Sequence, residues 1–479
     1  MFHWFRKTRR KFARAIRARF DSAVTTDSNA RHWANADGLS PDASMSPAVR
    51  RILRNRTRYE VANNSYAQGI VLTLANDMIG TGPRLQMLTD NPEANKRIEE
   101  EWRTWSRAIN LGAKLRTLRM ARAVSGEGFA ILTTNPRDQT DIALDLRLIE
   151  ADRVTTPTLN ALDPNAIDGI RFDSNGNPVE YDMLQYHPGD TSSIGLGTEF
   201  DSIPADSMIH YYRTDRPEQH RGIPDLTPAL PLFSQLRRYT LAVIGAAETA
   251  ADFAGILYTD SPADGEATSV TPMDSIELEM RSLLTMPEGW KMDQMRAEQP
   301  TTTYDMYVRA VLNEIARCLN MPFNVAAGNS SGYNYASGRL DHQTYYKSLR
   351  VEQDEFNIRV MDRIHSAFMD EAALVPDLAR GLGFFKAWPH VWFYDGVEHV
   401  DPLKEANAQA KRLANSTTTL AVEYARQGLD WETQLRQRGK EIELMEELGL
   451  PQPTEMQANY DDQLIDDITR QVRQVSEEE

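Results

Sequence analysis

The string in this 479-residue chain that comes nearest to a reaction centre is Gly328-Asn-Ser330-Ser-Gly332, which satisfies G-x-S-x-G. In a hydrolase that pattern sets a serine nucleophile on a sharp strand-to-helix turn. Asp341 or Asp354, then His365 or His390, follow in the chain order such a triad needs. The setting argues against it. A nucleophile elbow requires a buried strand before the serine and a helix directly after it. Here the serine follows Asn320-Met-Pro-Phe-Asn-Val, and the glycines run on to Gly338. A five-residue match in a Ser/Gly/Asn-rich loop is expected by chance, so hydrolysis through Ser330 stands as an alternative reading only.

Other chemistries find less support. No Walker A string occurs, and Gly80-x-Gly82 lacks the third glycine of a dinucleotide-binding loop. The nine histidines never fall in H-E-x-x-H, and the single cysteine, Cys318, rules out an internal disulfide framework or a multi-cysteine zinc site. The expectation is no catalytic residue, no cofactor and no metal. Arginines at 50, 51, 54, 56 and 58, and the pair 237–238, suit phosphate groups. They suit a solvated helix face or ion pairs between subunits equally well.

The elements that would position these residues alternate in character. Residues 21–45 read as a linker. Ser46-Pro47 opens a helix whose arginines cover one side while Val49, Ile52 and Leu53 form the apolar stripe. Tyr66 to Ile79 is a second helix stopped at Gly80-Thr-Gly-Pro83, and 92–109 and 112–124 are further helices. From Gly126 to residue 213 the pattern turns to strands, at 128–134, 142–154, 169–172, 179–186 and 208–212, with Asn175-Gly176 as a hairpin signal. A helical period returns at Thr227, with Leu230, Phe233, Leu236, Leu241, Ile244 and Ala247 on one face and small residues from Gly245 to Gly255. At 1.5 Å per residue this helix is ~42 Å long, and its small residues suit close packing or tight neighbours in an oligomer. An acidic, loop-rich insert, 256–302, carries nine acids against three bases. Tyr304 to Leu319 is helical, Gly328 to Gly338 a polar loop, and Arg339 to Ala372 a long helix. Trp388 to Tyr394 reads as a strand and 401–448 as helices broken at Gly428.

Length suggests about three units of domain size. Hydrophobic residues make up 41% and charged residues 25%, enough for a sizeable core. Mean hydropathy is −0.52 and no run of ~18 apolar residues occurs, so no bilayer span is expected. The net charge of −16 argues against a protein that coats DNA with its whole surface. That charge is unevenly spread: residues 1–20 hold eight bases and no acid, and residues 441–479 hold twelve acids against two arginines. The basic arm, with Arg6, Lys7, Arg9, Arg10 and Lys11, offers itself for DNA or capsid contact or as a solubilising tail.

Several landmarks occur in a telling order. They are Arg54-Asn-Arg-Thr-Arg58 with Asn63-Asn64, Ile79-Gly-Thr-Gly82, Gly169-Ile-Arg-Phe-Asp, Gly176-Asn-Pro and His187-Pro-Gly-Asp190. Then come Ile203-Pro-Ala with His210, Arg216-Pro-Glu-Gln-His-Arg-Gly-Ile-Pro224 and Asn334-Tyr-Ala-Ser-Gly-Arg339. Over roughly residues 30–450 this order resembles the lambda-type family of tailed-phage portal proteins. Glu218-Gln219-His220 departs from the family's more usual Gly-Gln, and Gly338 stands where another small residue is common.

The resemblance implies an α+β, mainly helical subunit with wing, stem, clip and crown regions, closing into a cyclic ring of about a dozen copies around an axial channel. The regions would be a basic arm and linker (1–45), wing (46–223), first stem helix (224–255), clip (256–302), second stem helix (303–319), tunnel loop (320–338), long helix and return to the wing (339–399), and crown with acidic tail (400–479). Gly328, Asn329, Ser330, Ser331, Gly332, Tyr333, Asn334 and Tyr335 would line the channel. The implied partners are the protein itself, the terminase large subunit, the major capsid protein or scaffold, the head–tail connector and double-stranded DNA, with no membrane. The implied place is the portal vertex of the virion, after assembly in the host cytoplasm. A nucleic-acid-binding structural protein that forms no ring is a second alternative.

Overall fold

The computed structural model describes residues 23–136, 140–157, 163, 165–190, 199–252, 256–259, 290–293, 301–332, 334–382, 388–396 and 402–450. The basic arm, Tyr333, most of the 256–302 insert and the acidic tail beyond residue 450 lie outside the described residues.

A single turn, α1 (Pro41–Ser44), leads into α2 (Pro47–Asn63), which starts on Pro47 directly after Ser46. The end of the expected linker is therefore docked: Pro41 and Met45 are buried, and the Asp42 carboxylate pairs with His220. Helix α3 (Ser65–Ile79) is capped by the Asn64 side chain, which accepts from the Tyr66 and Ala67 amides, and it stops at Gly80 with φ +59°. A short strand, β1 (Arg84–Met87), follows that the sequence pattern did not signal. Then come α4 (Pro92–Ala108), capped by Asn91, and α5 (Leu111–Ser125), ended by Gly126 in the left-handed region.

The β-rich unit is as expected in extent. It holds β2 (Glu127–Thr134), β3 (Leu144–Ile149), β4 (Ala166–Ile167), β5 (Ile170–Phe172), β6 (Pro178–Leu184), β7 (Phe200–Pro204) and β8 (Met208–Tyr212). The run expected as one strand over 142–154 ends at Ile149 and becomes a 3-10 turn at Ala151–Arg153. Two antiparallel sheets form, in orders β3-β2-β8 and β4-β5-β6-β7. Asp173 shapes the β5–β6 turn by accepting the Asn175 and Asn177 amides, and Gly176 supplies φ +81°. Phe129, Ile131, Tyr181, Met183 and Met208 form this unit's own apolar cluster.

Helix α6 (Leu230–Asp252) is preceded by a 3-10 turn at Thr227–Ala229. The insert expected to be loop-rich is closed at its base by two antiparallel strands, β9 (Ile256–Thr259) and β10 (Trp290–Asp293). Next are α7 (Thr301–Arg317), the short α8 (Phe323–Ala327) and α9 (Tyr335–Phe356). The long helix starts at Tyr335 rather than Arg339, because the Asn334 carbonyl accepts the Gly338 amide and winds the Tyr-Ala-Ser-Gly stretch into its first turn. It passes through a π turn, Asn357–Met361, into α10 (Asp362–Ala372). Strand β11 (His390–Phe393) pairs antiparallel with β1, joining positions some three hundred residues apart. The chain ends in α11 (Pro402–Ala414), α12 (Leu420–Arg426) and α13 (Trp431–Glu447). The break at Gly428 is present, and a second one centres on Ser416 with φ +56°.

The main core joins α3, α4, α5, α7, α8 and the long helix. Trp102, Trp105 and Phe368 meet at ring-centroid distances of 4.9 to 5.1 Å, and the Trp105 indole donates to the Leu144 carbonyl at 2.7 Å.

Candidate functional site

The polar loop after α8 is held from below by α7. Gly328 ends α8 with φ +63°, its amide donating back to the helix, and the Asn329 amide donates to the Asn324 carbonyl at 3.0 Å. The Asn329 side chain accepts the Ser331 amide at 2.9 Å, an Asx turn that shapes the tip. Arg309 of α7 donates to Ser331 Oγ at 3.3 Å, pairs with Asp305 at 2.9 Å and lies over the Phe323 ring. Gly328 through Gly332 are exposed, and so is Asn334. Ser330 is therefore preceded by a helix and followed by a turn, the reverse of a nucleophile elbow. His365 is buried against Trp102 and His390, and burial pushes its imidazole down to about 3.

The arginines of α2 reverse the expected face. Arg50, Arg54 and Thr57 are buried, while Val49 and Ile52 are exposed. The cause is a set of carboxylates presented by the β-rich unit. Arg50 pairs with Asp168, Arg54 reaches Asp152 at 3.8 Å, and Arg58 reaches Asp152 at 2.7 Å and Ser125 Oγ at 3.0 Å. These guanidiniums are taken up within the subunit.

Behind them lies Arg221, from the loop between β8 and α6. Its Nε is 2.8 and 3.0 Å from the two Glu127 oxygens, and it also donates to the Val154 and Asp168 carbonyls. His210 Nε2 and the Gly222 amide complete the shell of Glu127, at 3.0 and 3.2 Å. Burial disfavours the Glu127 charge, but Arg221 and these hydrogen bonds outweigh it and hold the carboxyl well below its usual range. Burial likewise works against Arg221, and Glu127 and Asp168 raise its pKa regardless. His210, buried between the Phe129 and Tyr212 rings, is pushed down to about 4 by burial and so donates to Glu127 as a neutral imidazole.

A second buried seam joins α5, β8 and α9. Arg119 and Arg122 of α5 meet Asp225 and Glu352, with Arg119 at 3.0 Å from Asp225 and Arg122 at 3.1 Å from Glu352. The Tyr211 hydroxyl accepts from Arg122 at 2.6 Å and donates to Glu352 at 2.8 Å. Arg213 reaches the other Asp225 oxygen at 3.1 Å. Burial opposes the Asp225 charge, yet the three arginines keep its pKa lowered. Glu150, Asp152 and His187 bring ligand atoms within 4.8 Å of one another. Arg58 stands in that group, so its positive charge takes the place a cation would fill.

Sequence reasoning did not single out Glu127, Asp168, Asp225, Arg119, Arg122 or Glu352. A signal was there in part. Leu111, Leu115, Leu118, Arg119 and Arg122 share one helical face, so the two arginines interrupt an apolar stripe. Arg50, Arg54 and Thr57 have the same spacing on α2.

The third feature is an apolar face left open. Phe233 and Leu236 of α6 are buried, but the stripe then runs out of the subunit: Leu241 is 61% exposed and Ile244 49%. Tyr239 stacks on Tyr304 and meets Tyr307 of α7 at a tilt, and beside them Met306 is 62% exposed. The expected single face of α6 is thus divided between its own core and solvent.

Residues 26–353 match the family model described as phage portal protein, lambda family. A relative named "Probable portal protein", from Halomonas phage phiHAP-1, is 24% identical over 433 residues, covering 84% of this chain and 82% of the relative. Among solved structures, a chain from the neck of an empty gene transfer agent particle computed with C6 symmetry aligns at TM-score 0.49 and 14% identity, over 82% of this chain and 94% of that one. A chain from the neck of the native particle computed with C12 symmetry aligns at TM-score 0.48 and 15% identity, over 80% and 94%.

Proposed function

The chain belongs to the lambda family of phage portal proteins, and from that premise we propose that it closes into the ring at one capsid vertex through which double-stranded DNA is packaged and later ejected. The observation that carries this reading is the open apolar face of α6 and α7. Leu241, Ile244 and Met306 lie exposed on two paired helices, and a second copy of the chain seated there would remove them from water. The matching relative from a Halomonas phage, itself named as a portal protein, supports the same reading.

In this reading α6 and α7 are the stem, and the segment between them, begun by β9 and β10, is the clip that meets the terminase and then the connector. The loop tip from Gly328 to Gly332 faces the channel. Asn329 and Ser331 offer uncharged donors and acceptors there, which touch passing phosphates without the counterion release that makes lysine contacts adhesive. The surplus of acids over bases keeps the channel wall largely repulsive to DNA. The buried ion pairs of Glu127, Arg221, Asp225 and Arg119 make the wing a stiff body from which stem and loop project. The energy for DNA movement comes from the terminase.

Negative-stain microscopy of the purified full chain tests the reading. Rings with a central hole are expected. Compact monomers at micromolar concentration would overturn it, and would leave a nucleic-acid-binding protein without a ring as the reading to pursue.

A further inference from the structure

The β-rich unit and the π turn of the long helix border a cleft of about 270 Å³. Rings from Phe172, Tyr181 and Tyr212 line it, and two guanidiniums, Arg359 and Arg363, reach it. Neither arginine forms an ion pair with a carboxylate among the described residues. Arg363 donates to the carbonyls of Met208, Ala205 and Asp206 at 2.6 to 3.0 Å. Arg359 donates to the Tyr212 carbonyl at 3.5 Å and lies over the Tyr212 ring, 5.4 Å from its centroid. The carboxylates nearby are otherwise engaged: Glu127 with Arg221 and His210, Asp42 with His220. Asp206 lends Arg363 some favourable field without forming a pair with it.

A second observation concerns Tyr181. The residue is 4% exposed and lines the cleft, and its hydroxyl, which bonds to no group among the described residues, is open to the cleft rather than sealed in the core. A hydroxyl that opens onto a cleft beside two guanidiniums without carboxylate partners is a donor available to a bound anion. Arg359 also sits in a π turn, a helical irregularity that recurs at functional sites.

We propose that this cleft binds an oxyanion carried on a flat ring. The Tyr181 hydroxyl donates to the anion, Arg359 and Arg363 supply the charge, and Phe172 and the edge of Tyr212 border the ring. The volume lies below the ~300–1,000 Å³ of sites for drug-sized ligands, so the occupant is one ring and one anionic group.

Calorimetric titration of the full chain with phenyl phosphate tests this. Saturable binding at one site per subunit is expected. Tyr181→Phe and Arg359→Gln should each weaken it about tenfold or more, since each removes a hydrogen bond or charge at the anion. Thermal unfolding of both variants should match the parent, which separates lost binding from lost structure. Inorganic phosphate alone should bind about tenfold more weakly. Absence of saturable binding, variants that bind like the parent, or inorganic phosphate binding as tightly as phenyl phosphate would each overturn the assignment.

Discussion

Arg221 and Glu127 face each other with three nitrogen–oxygen distances of 2.7 to 3.0 Å, and both side chains are wholly shielded from solvent. The pair stands where α5 turns into β2. There the backbones of Gly126 and Gly222 cross so closely that a Cβ on Gly222 would overlap the Gly126 carbonyl oxygen. Arg221 therefore fastens the loop before α6 to the start of the β-rich unit, while Asp168 ties it onward to Arg50 of α2.

Breaking this pair from one side strands the other charge. Arg221→Met is expected to cost roughly 3–5 kcal/mol of unfolding free energy, because Glu127 remains buried without its partner. Replacing both, with Arg221→Met and Glu127→Leu together, should recover much of the loss. Chemical denaturation of single and double variants checks it; additive losses would show that the two side chains are not coupled.

Acidification should weaken the fold well above the carboxylate range. His210 and His365 are lowered by burial to about 4 and about 3, against 6.5 in the unfolded chain. Below pH 6.5 the unfolded state takes up protons that the folded state refuses, so stability falls as pH drops toward 4. Each histidine contributes up to ~1.4 kcal/mol per pH unit in that window. His210→Gln keeps a donor for Glu127 and should flatten its share of the slope, measured as melting temperature against pH.

Glu218 sits at φ +63°, a conformation that favours glycine. Glu218→Gly should stabilise the subunit by up to ~1 kcal/mol, the relief of left-handed strain less the added freedom of the unfolded chain. A higher melting temperature supports this. A lower one would show that Glu218 makes a compensating contact.

The open face of α6 gives a direct test of assembly. Leu241→Asp or Ile244→Asp leaves the subunit's own core untouched, yet places a carboxylate where a neighbouring copy would cover it. Burying an unpaired charge costs several kcal/mol, so the ring fraction should fall about tenfold or more at fixed concentration. Mass photometry and circular dichroism together read the outcome: unchanged rings would move the interface elsewhere.

At the loop tip, Asn329→Lys should slow DNA translocation while rings still form, with the defect easing as salt rises and screens the new phosphate contact. Packaging at the normal rate in low salt would place the loop away from the DNA path.

The sequence by itself determined the local elements, because their signals are local. Pro47 after Ser46, Asn64 and Gly80 around α3, and Asn175-Gly176 in a turn each act through backbone geometry within a few residues. The order of landmarks from Arg54 to Arg339 was likewise enough to identify the family. Tertiary structure alone decided which face each element buries. Val49 and Ile52 read as the inner stripe of α2, yet Arg50 and Arg54 went inward, because Asp168 and Asp152, a hundred or so residues away, compensate their charges there. The pairing of β1 with β11 was hidden for the same reason, since a four-residue strand has no period of its own and exists through its partner. The apolar stripe of α6 was legible, but its division at Leu241 was not. Hydrophobic periodicity reports that a face will be covered, and only the packed subunit shows where its own chain stops covering it.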